Sequence, residues 1–211
     1  MSTQAKTKTF AGTKSLVLTA LLAALIVLMA FTPLGYLRVG AISVSLLMIP
    51  VAIGALSELG AKGAAILGAV FGITSFVQCF GMDAFGSFVF SLDPAATIIM
   101  CIVMRTLAGF LTGLIAKATR RIGTAGYAVT GLCAALLNTV LFMGTLVICF
   151  WNNLVFLDKM NEWGITTETL MRFFGAFVGF NCIFEAIATA VVTALVGAGL
   201  HRAGMLTQSE S

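Results

Sequence analysis

The sequence IPVAIGALSELGAKGAAILG, residues 49–68, contains an apolar run, a short polar hinge from Ser57 to Gly63, and a second apolar run. The hinge carries one Glu and one Lys, whereas the runs on either side of it carry no charge. Apolar runs joined by short polar connections predict helices that cross a membrane and turn back at its surface. The same alternation recurs along the whole chain, so this stretch indicates the fold class.

Composition supports the same interpretation. The 211 residues are 60% hydrophobic and 9% charged, whereas a soluble domain has about 25% charged residues. Such a chain cannot bury its apolar surface in one aqueous globule, which indicates an integral membrane protein. The apolar stretches are continuous and do not alternate with polar residues, which favours helices over a membrane β-barrel. We therefore predict an all-α fold, a six-helix transmembrane bundle.

The apolar runs place the six spanning helices at residues 15–33, 42–58, 61–80, 95–116, 125–151 and 169–200. They form a single membrane domain, residues 15–202, between a cytoplasmic N-terminal segment, residues 1–14, and a cytoplasmic tail, residues 203–211. The second span is short and contains Pro50, where we expect a kink.

Basic residues fall mainly on one side of the predicted bundle. Only Arg38 and Lys159 lie in connections on the other side, which also holds most of the acidic loop residues. Cytoplasmic loops are enriched in Lys and Arg, so both termini are predicted to be cytoplasmic and the net charge of +4 does not indicate a nucleic-acid partner. The residues on the cytoplasmic side are Lys6, Lys8, Lys14, Lys62, Lys117, Arg120, Arg121 and Arg202.

Two outer connections are long and aromatic. Residues 81–94 are rich in Phe, and residues 152–168 contain Trp163. Such loops either cover a binding site or anchor the protein at the membrane interface, and the sequence leaves both alternatives open.

Polar side chains within the spans are candidate functional residues, because they are costly in a membrane. Arg105 in span four, Asn138 in span five, and Asn181 and Glu185 one turn apart in span six are predicted to converge in the outer half, with Gln78 of span three nearby. Arg105 and Glu185 either pair only with each other or line a polar ligand pocket. In the second case Arg105 is available to a carboxylate, which it can hold through two parallel hydrogen bonds.

Other motifs limit the function. The chain has no phosphate-binding loop, no His-Glu-x-x-His and no Gly-x-Ser-x-Gly, and its five cysteines lie singly. We therefore expect neither catalytic residues nor a metal site nor a cofactor in this chain, and no enzyme activity. Small residues recur four apart, a spacing that lets membrane helices approach closely. The pairs are Ala20 and Ala24, Gly68 and Gly72, Gly109 and Gly113, and Gly175 and Gly179.

Taken together, these features resemble the substrate-binding S components of energy-coupling-factor (ECF) vitamin transporters. The resemblance covers about residues 14–202, and it is greatest to the clostridial-type members assigned to pantothenate. It rests on the order and spacing of several short motifs along six helices with cytoplasmic ends. The motifs are IPVAIGA from Ile49, GAKGAAILGAVFGITS from Gly60, RTLAGFLTG from Arg105, LNT from Leu137 and NCIFE from Asn181.

The resemblance implies a partner complex of a membrane T component and two cytoplasmic ATPase subunits, which use the ATP, in the plasma membrane of a bacterium. The S component would capture a small vitamin outside and release it inside. Ala20 and Ala24 match the family's docking patch for the T component. The sequence departs from relatives at Ala61, where they commonly have Pro, and this should loosen the hinge slightly.

Three alternatives remain open at this point. The ligand could be riboflavin or folate, because pocket residues diverge between vitamins. The chain could be a non-transporting membrane scaffold, such as a cell-shape morphogenesis subunit. It could also be a stand-alone secondary transporter, although no internal repeat supports that class. The hinge from Ser57 to Gly63 is expected to face the coupling machinery, opposite the ligand mouth.

Overall fold

A computed structural model describes the backbone of residues 2–39, 42–164 and 170–202, and the side chains of residues 13–36, 45–164 and 182–202. Within these ranges the chain forms helices and one short β-hairpin. The helices are α1 (Ser2–Ala30), α2 (Met48–Leu56), α3 (Gly60–Gln78), α4 (Ala84–Leu92), α5 (Pro94–Ile98), α6 (Met104–Thr119), α7 (Thr124–Phe150), α8 (Leu154–Glu162) and α9 (Leu170–Arg202), and the hairpin pairs β1 (Tyr36–Val39) with β2 (Ile42–Ser45) antiparallel.

Five helical segments in the described residues are long and apolar enough to cross a membrane. One of them, Pro94–Ile122, joins α5 to α6 through a π-helical turn at Ile99–Val103 and ends in a 3₁₀ turn at Arg120–Ile122. The helical, multi-pass class of the prediction is therefore confirmed. The other four segments are Thr13–Ala30, Gly60–Gln78, Thr124–Phe150 and Cys182–Arg202.

The predicted second span, residues 42–58, is wrong. Its first part is strand β2, whose Ile-Ser-Val-Ser sequence alternates apolar and polar residues as strands do. Its second part is α2, which has nine residues and is about 14 Å long, too short to cross a bilayer. Pro50 is the third residue of α2 and so lies in its first turn, where a proline has no intrahelical hydrogen bond to remove and no kink is required.

The segment from α1 to α3 nevertheless passes from one end of the bundle to the other. At one end, the side-chain amide nitrogen of Gln78 donates a hydrogen bond to the carbonyl of Ala30, so the last turns of α1 and α3 are neighbours. At the other end, Arg120 donates to the carbonyl of Ser57 at 3.0 Å. The hairpin and α2 together therefore return the chain along the bundle, and α2 is almost wholly buried in the core.

The polar hinge of the opening stretch is a tight turn between α2 and α3. Ser57 is buried and donates its hydroxyl to the carbonyl of Gly54 at 2.7 Å, while Gly60 has a φ of +57°, which favours glycine. Glu58 and Lys62 are exposed. A cavity of about 360 Å³ lies beside the turn, lined by Glu58, Gly60, Ala61, Gly113, Lys117 and Arg120.

The connections that follow α3 and α7 contain short helices in their described residues. Asp83, Asp93 and Asn153 cap them through their side chains, each accepting hydrogen bonds from backbone N–H groups. Phe88 of α4 stacks on Phe156 of α8 with ring centroids 6.4 Å apart. The aromatic side chains of these connections thus pack on one another in a second core.

Close contact between α3 and α6 explains two of the small-residue pairs. A β-carbon on Gly68 would overlap the backbone carbonyl of Arg105, and one on Gly72 would lie 2.6 Å from that of Cys101. A β-carbon on Gly109 would overlap the carbonyl of Ala64. The glycines of both helices therefore face each other across one interface. The pair Gly175 and Gly179 lies outside the described side chains.

We expect Gly109→Ala to lower the melting temperature of the detergent-purified protein by several degrees. The added methyl group would meet backbone atoms of α3, and overpacking of this kind costs about 1–3 kcal/mol. Gly144→Ala in α7 is the matched control, because a β-carbon there meets no atom within 4 Å. Equal melting temperatures for the two variants would contradict the proposed close contact.

Candidate ligand-binding site

Arg105 is buried near the middle of the long segment Pro94–Ile122, with 9% of its surface exposed. It is the second residue after the π-helical turn Ile99–Val103, a feature common at functional sites. Its guanidinium carbon lies over the ring of Phe71 at 4.4 Å and over the ring of Phe142 at 5.1 Å. Among the described side chains, its Nε and Nη1 atoms have no hydrogen-bond partner. Arg105 is therefore a buried cation with donors still available.

Glu185 of α9 and Asn138 of α7 are also buried, with 6% and 8% exposed. The Asn138 amide lies next to the Glu185 carboxylate, and the positive charge of Arg105 acts on the same carboxylate. Within the part of the chain whose side chains are described, Glu185 Oε1 and Asn138 Oδ1 have no hydrogen-bond partner. The structure thus brings three of the sequence-predicted residues together, each with an unused polar atom.

Arg105 and Glu185 do not form a close ion pair. Among the described side chains, the ion pair shorter than 4 Å is that of Lys159 and Glu162, at 2.8 Å on the surface. This geometry bears on whether Arg105 pairs only with Glu185 or is available to a ligand. The positive charge of Arg105 is near the Glu185 carboxylate. However, Glu185 does not occupy the hydrogen-bond donors of Arg105.

The three residues lie at similar depths below one end of the bundle. Counted from the helix ends at Pro94, Phe150 and Leu170, Arg105 is about 17 Å deep, Asn138 about 18 Å and Glu185 about 22 Å at 1.5 Å per residue. The α4 and α8 helices and the hairpin are connections at this same end. The polar cluster therefore lies beneath the elaborated end of the protein.

Gln78 lies at the junction of α1, α3 and the hairpin. Its amide oxygen accepts a hydrogen bond from the hydroxyl of Tyr36 at 2.7 Å, and its amide nitrogen donates to Ala30. Burial raises the pKa of Tyr36, with the nearby charge of Arg105 acting in the opposite direction. The phenol therefore stays protonated at neutral pH and remains a donor. Gln78 thus ties the hairpin to the bundle.

The remaining predicted residues have different settings. Asn181 is part of α9, but its side chain lies outside the described residues, so its role stays a prediction. Ala20 and Ala24 are exposed on α1. Large apolar side chains such as Leu21, at 61% exposed, surround them. This outward apolar face of α1 is suited to lipid or to another membrane helix.

Sequence reasoning missed the aromatic partners of the site, Phe71, Phe142 and Tyr36. One available signal was spacing, because Phe142 follows Asn138 by four residues and shares its helix face. Phe71 gave no signal, since a Phe within an apolar run is indistinguishable from core. Chemically, the cluster combines a cation with oxygen acceptors, which suits a small molecule carrying an acid and hydroxyl or amide donors.

Comparison with known proteins identifies the family. The chain is 31% identical over 196 residues to the protein named pantothenate transporter PanT of Leuconostoc mesenteroides subsp. mesenteroides, with 88% of this chain and 91% of that protein covered. Residues 14–197 match the family model described as the ECF transporter, substrate-specific component. These are membrane transport proteins and not enzymes. The chain belongs to the family of ECF transporter substrate-specific components.

Proposed function

We propose that this protein captures pantothenate on the outer side of a bacterial plasma membrane. It releases the vitamin inside when docked to a membrane T component and two cytoplasmic ATPase subunits, which use the ATP; the chain itself needs no cofactor. The observation that carries the proposal is Arg105, a buried cation with free N–H groups beside the unused oxygens of Glu185 and Asn138. The family membership and the similarity to PanT support it.

The chemistry of pantothenate fits these groups. Its carboxylate would accept hydrogen bonds from Arg105, which are stronger than neutral ones because both partners are charged. Its amide N–H and two hydroxyls are donors, and they would meet the oxygens of Glu185 and Asn138. Asn181 and Gln78 remain candidates for further polar contacts.

The positive-inside bias supports an orientation with both termini in the cytoplasm. The return of the chain between α1 and α3 agrees with this orientation. Together with the five helical segments of the described residues that are long enough to cross alone, it gives an even number of passages along the bundle. The polar cluster then opens toward the outside. The hinge from Ser57 to Gly63 and its neighbouring cavity face the cytoplasm, where the energising subunits dock.

Mass spectrometry of the detergent-purified protein tests the proposal directly. We expect pantothenate to be retained at near one-to-one stoichiometry. Added pantothenate should raise the melting temperature of the emptied protein, whereas riboflavin and folate should not. A shift with riboflavin or folate alone would reassign the ligand. Repeatedly empty preparations with no shift from any vitamin would overturn vitamin capture and favour the scaffold alternative.

A further inference from the structure

The guanidinium of Arg105 contacts phenyl rings from two different helices. Phe71 belongs to α3 and is fully buried, and Phe142 belongs to α7. Their ring centroids lie 4.4 Å and 5.1 Å from the guanidinium carbon. Both distances are within the range of about 6 Å over which a cation is attracted to the face of an aromatic ring.

These contacts explain how the charge of Arg105 can be buried in the site. A buried charge without a partner is strongly unfavourable, and among the described residues Arg105 has neither a carboxylate within 4 Å nor hydrogen bonds on Nε and Nη1. The electron-rich ring faces stabilise the cation without occupying its N–H groups. They therefore lower the free-energy cost of burying Arg105 while its N–H donors stay available to a ligand.

The position of each ring is fixed by the packing around it. Phe71 lies between Gly68 and Gly72, the glycines that bring α3 against the backbone at Arg105 and Cys101. Phe142 lies one turn from Asn138, so the same face of α7 carries a ring for the cation and an amide beside Glu185. The Phe142 ring therefore comes from a helix of the polar cluster, and the Phe71 ring comes from α3, which packs directly against the segment that carries Arg105.

We propose that Phe71 and Phe142 are positioning residues that hold the Arg105 guanidinium in a desolvated place with its donors free for the carboxylate of the ligand. This inference rests on the proposed capture of pantothenate. Without the rings, Arg105 would be drawn toward Glu185, and the resulting ion pair would compete with the ligand. The rings thus set the affinity for the acid group of the ligand and have no direct contact with its hydroxyl end.

The test replaces each Phe with fluorinated phenylalanines carrying one, two and three fluorines. Fluorine hardly changes the size of the ring but makes its face progressively less negative, so a packing role alone would not respond in steps. We expect the Kd for pantothenate to rise stepwise, by about fivefold for trifluorophenylalanine at position 71 and somewhat less at position 142. The Kd for pantothenol, in which an alcohol replaces the carboxylate, should change less than about twofold by the same reasoning.

Phe150 provides the matched control, because it is fully buried in the second core and packs against Phe156. Fluorination there should leave both dissociation constants unchanged. The melting temperature of the ligand-free protein should fall stepwise for positions 71 and 142, but not for position 150.

The outcomes separate this inference from the proposed function. If the wild-type protein binds pantothenate and fluorination at positions 71 and 142 changes neither the Kd nor the melting temperature, the positioning role is overturned while vitamin capture stands. Equal losses for pantothenate and pantothenol would also overturn it, because they would indicate general disturbance of the pocket. A wild-type protein that binds no pantothenate would overturn both proposals.

Discussion

Replacement of Arg105 with Gln is expected to weaken the binding of pantothenate by about 100-fold or more. The change removes the cation that would meet the carboxylate of the ligand in a buried site. Loss of one partner of such a charge pair costs about 2–5 kcal/mol, and about 3 kcal/mol corresponds to a roughly 100-fold weaker affinity. Gln keeps a polar side chain of moderate length, so the substitution adds no apolar group to the site. Isothermal titration calorimetry on the purified protein measures the effect.

Two further measurements make the interpretation of Arg105 specific. Pantothenol lacks the carboxylate, so its affinity should be similar for the wild-type protein and for Arg105→Gln. Arg105→Lys should recover only part of the affinity for pantothenate, because Lys keeps the charge but cannot form two parallel bonds. Wild-type affinity in Arg105→Gln would contradict a contact with the ligand. Loss of folded protein in both variants would instead show that Arg105 is needed for the fold, and would leave its contact with the ligand unsupported.

The double replacement of Ala20 and Ala24 with Trp is expected to abolish vitamin uptake in cells and to leave ligand binding unchanged. Both residues are exposed on α1, and small residues four apart let a partner helix approach the backbone closely. Two indole side chains would hold that partner away. They lie on the outward face of α1, so the polar cluster should keep its geometry. Uptake of radiolabelled pantothenate and titration of the purified variant measure the two properties.

Leu195→Trp is the control for this experiment. Leu195 is 69% exposed on α9, so this variant also places an indole on the outer surface of the bundle but away from α1. It should transport normally. Normal uptake by the double variant would remove the docking role of Ala20 and Ala24. Loss of uptake in the Leu195 control as well would show that any large outward side chain interferes.

Helix prediction from the sequence succeeded where one long apolar run corresponds to one continuous helical segment. The segments Gly60–Gln78, Pro94–Ile122 and Thr124–Phe150 overlap closely with the predicted spans. It failed at residues 42–58, where an alternating strand and a short buried helix together look like one apolar run. It also missed the short helices α4 and α8, which are stabilised by packing of their Phe side chains on one another and not by a spanning length.

The candidate site was predicted in part. Arg105, Asn138 and Glu185 were recognised because a polar residue within an apolar run is conspicuous, and the structure places them together. Gln78 was recognised by the same signal, but its amide is engaged with Tyr36 and Ala30. The sequence shows that a polar group is buried, and only the neighbouring helices show what it contacts.

The sequence by itself determined that this chain is a helical membrane protein, that Arg105, Asn138 and Glu185 lie within its apolar segments, and which family it belongs to. These properties follow from contiguous residues, because the transfer of an apolar helix into a membrane sums over neighbours along the chain. The tertiary structure alone decided that Arg105 lies over Phe71 and Phe142 and remains unpaired with Glu185. Those contacts depend on how closely, and at which rotation, α3, α6, α7 and α9 meet. Steric fit at Gly68, Gly72 and Gly109 sets how closely α3 approaches α6.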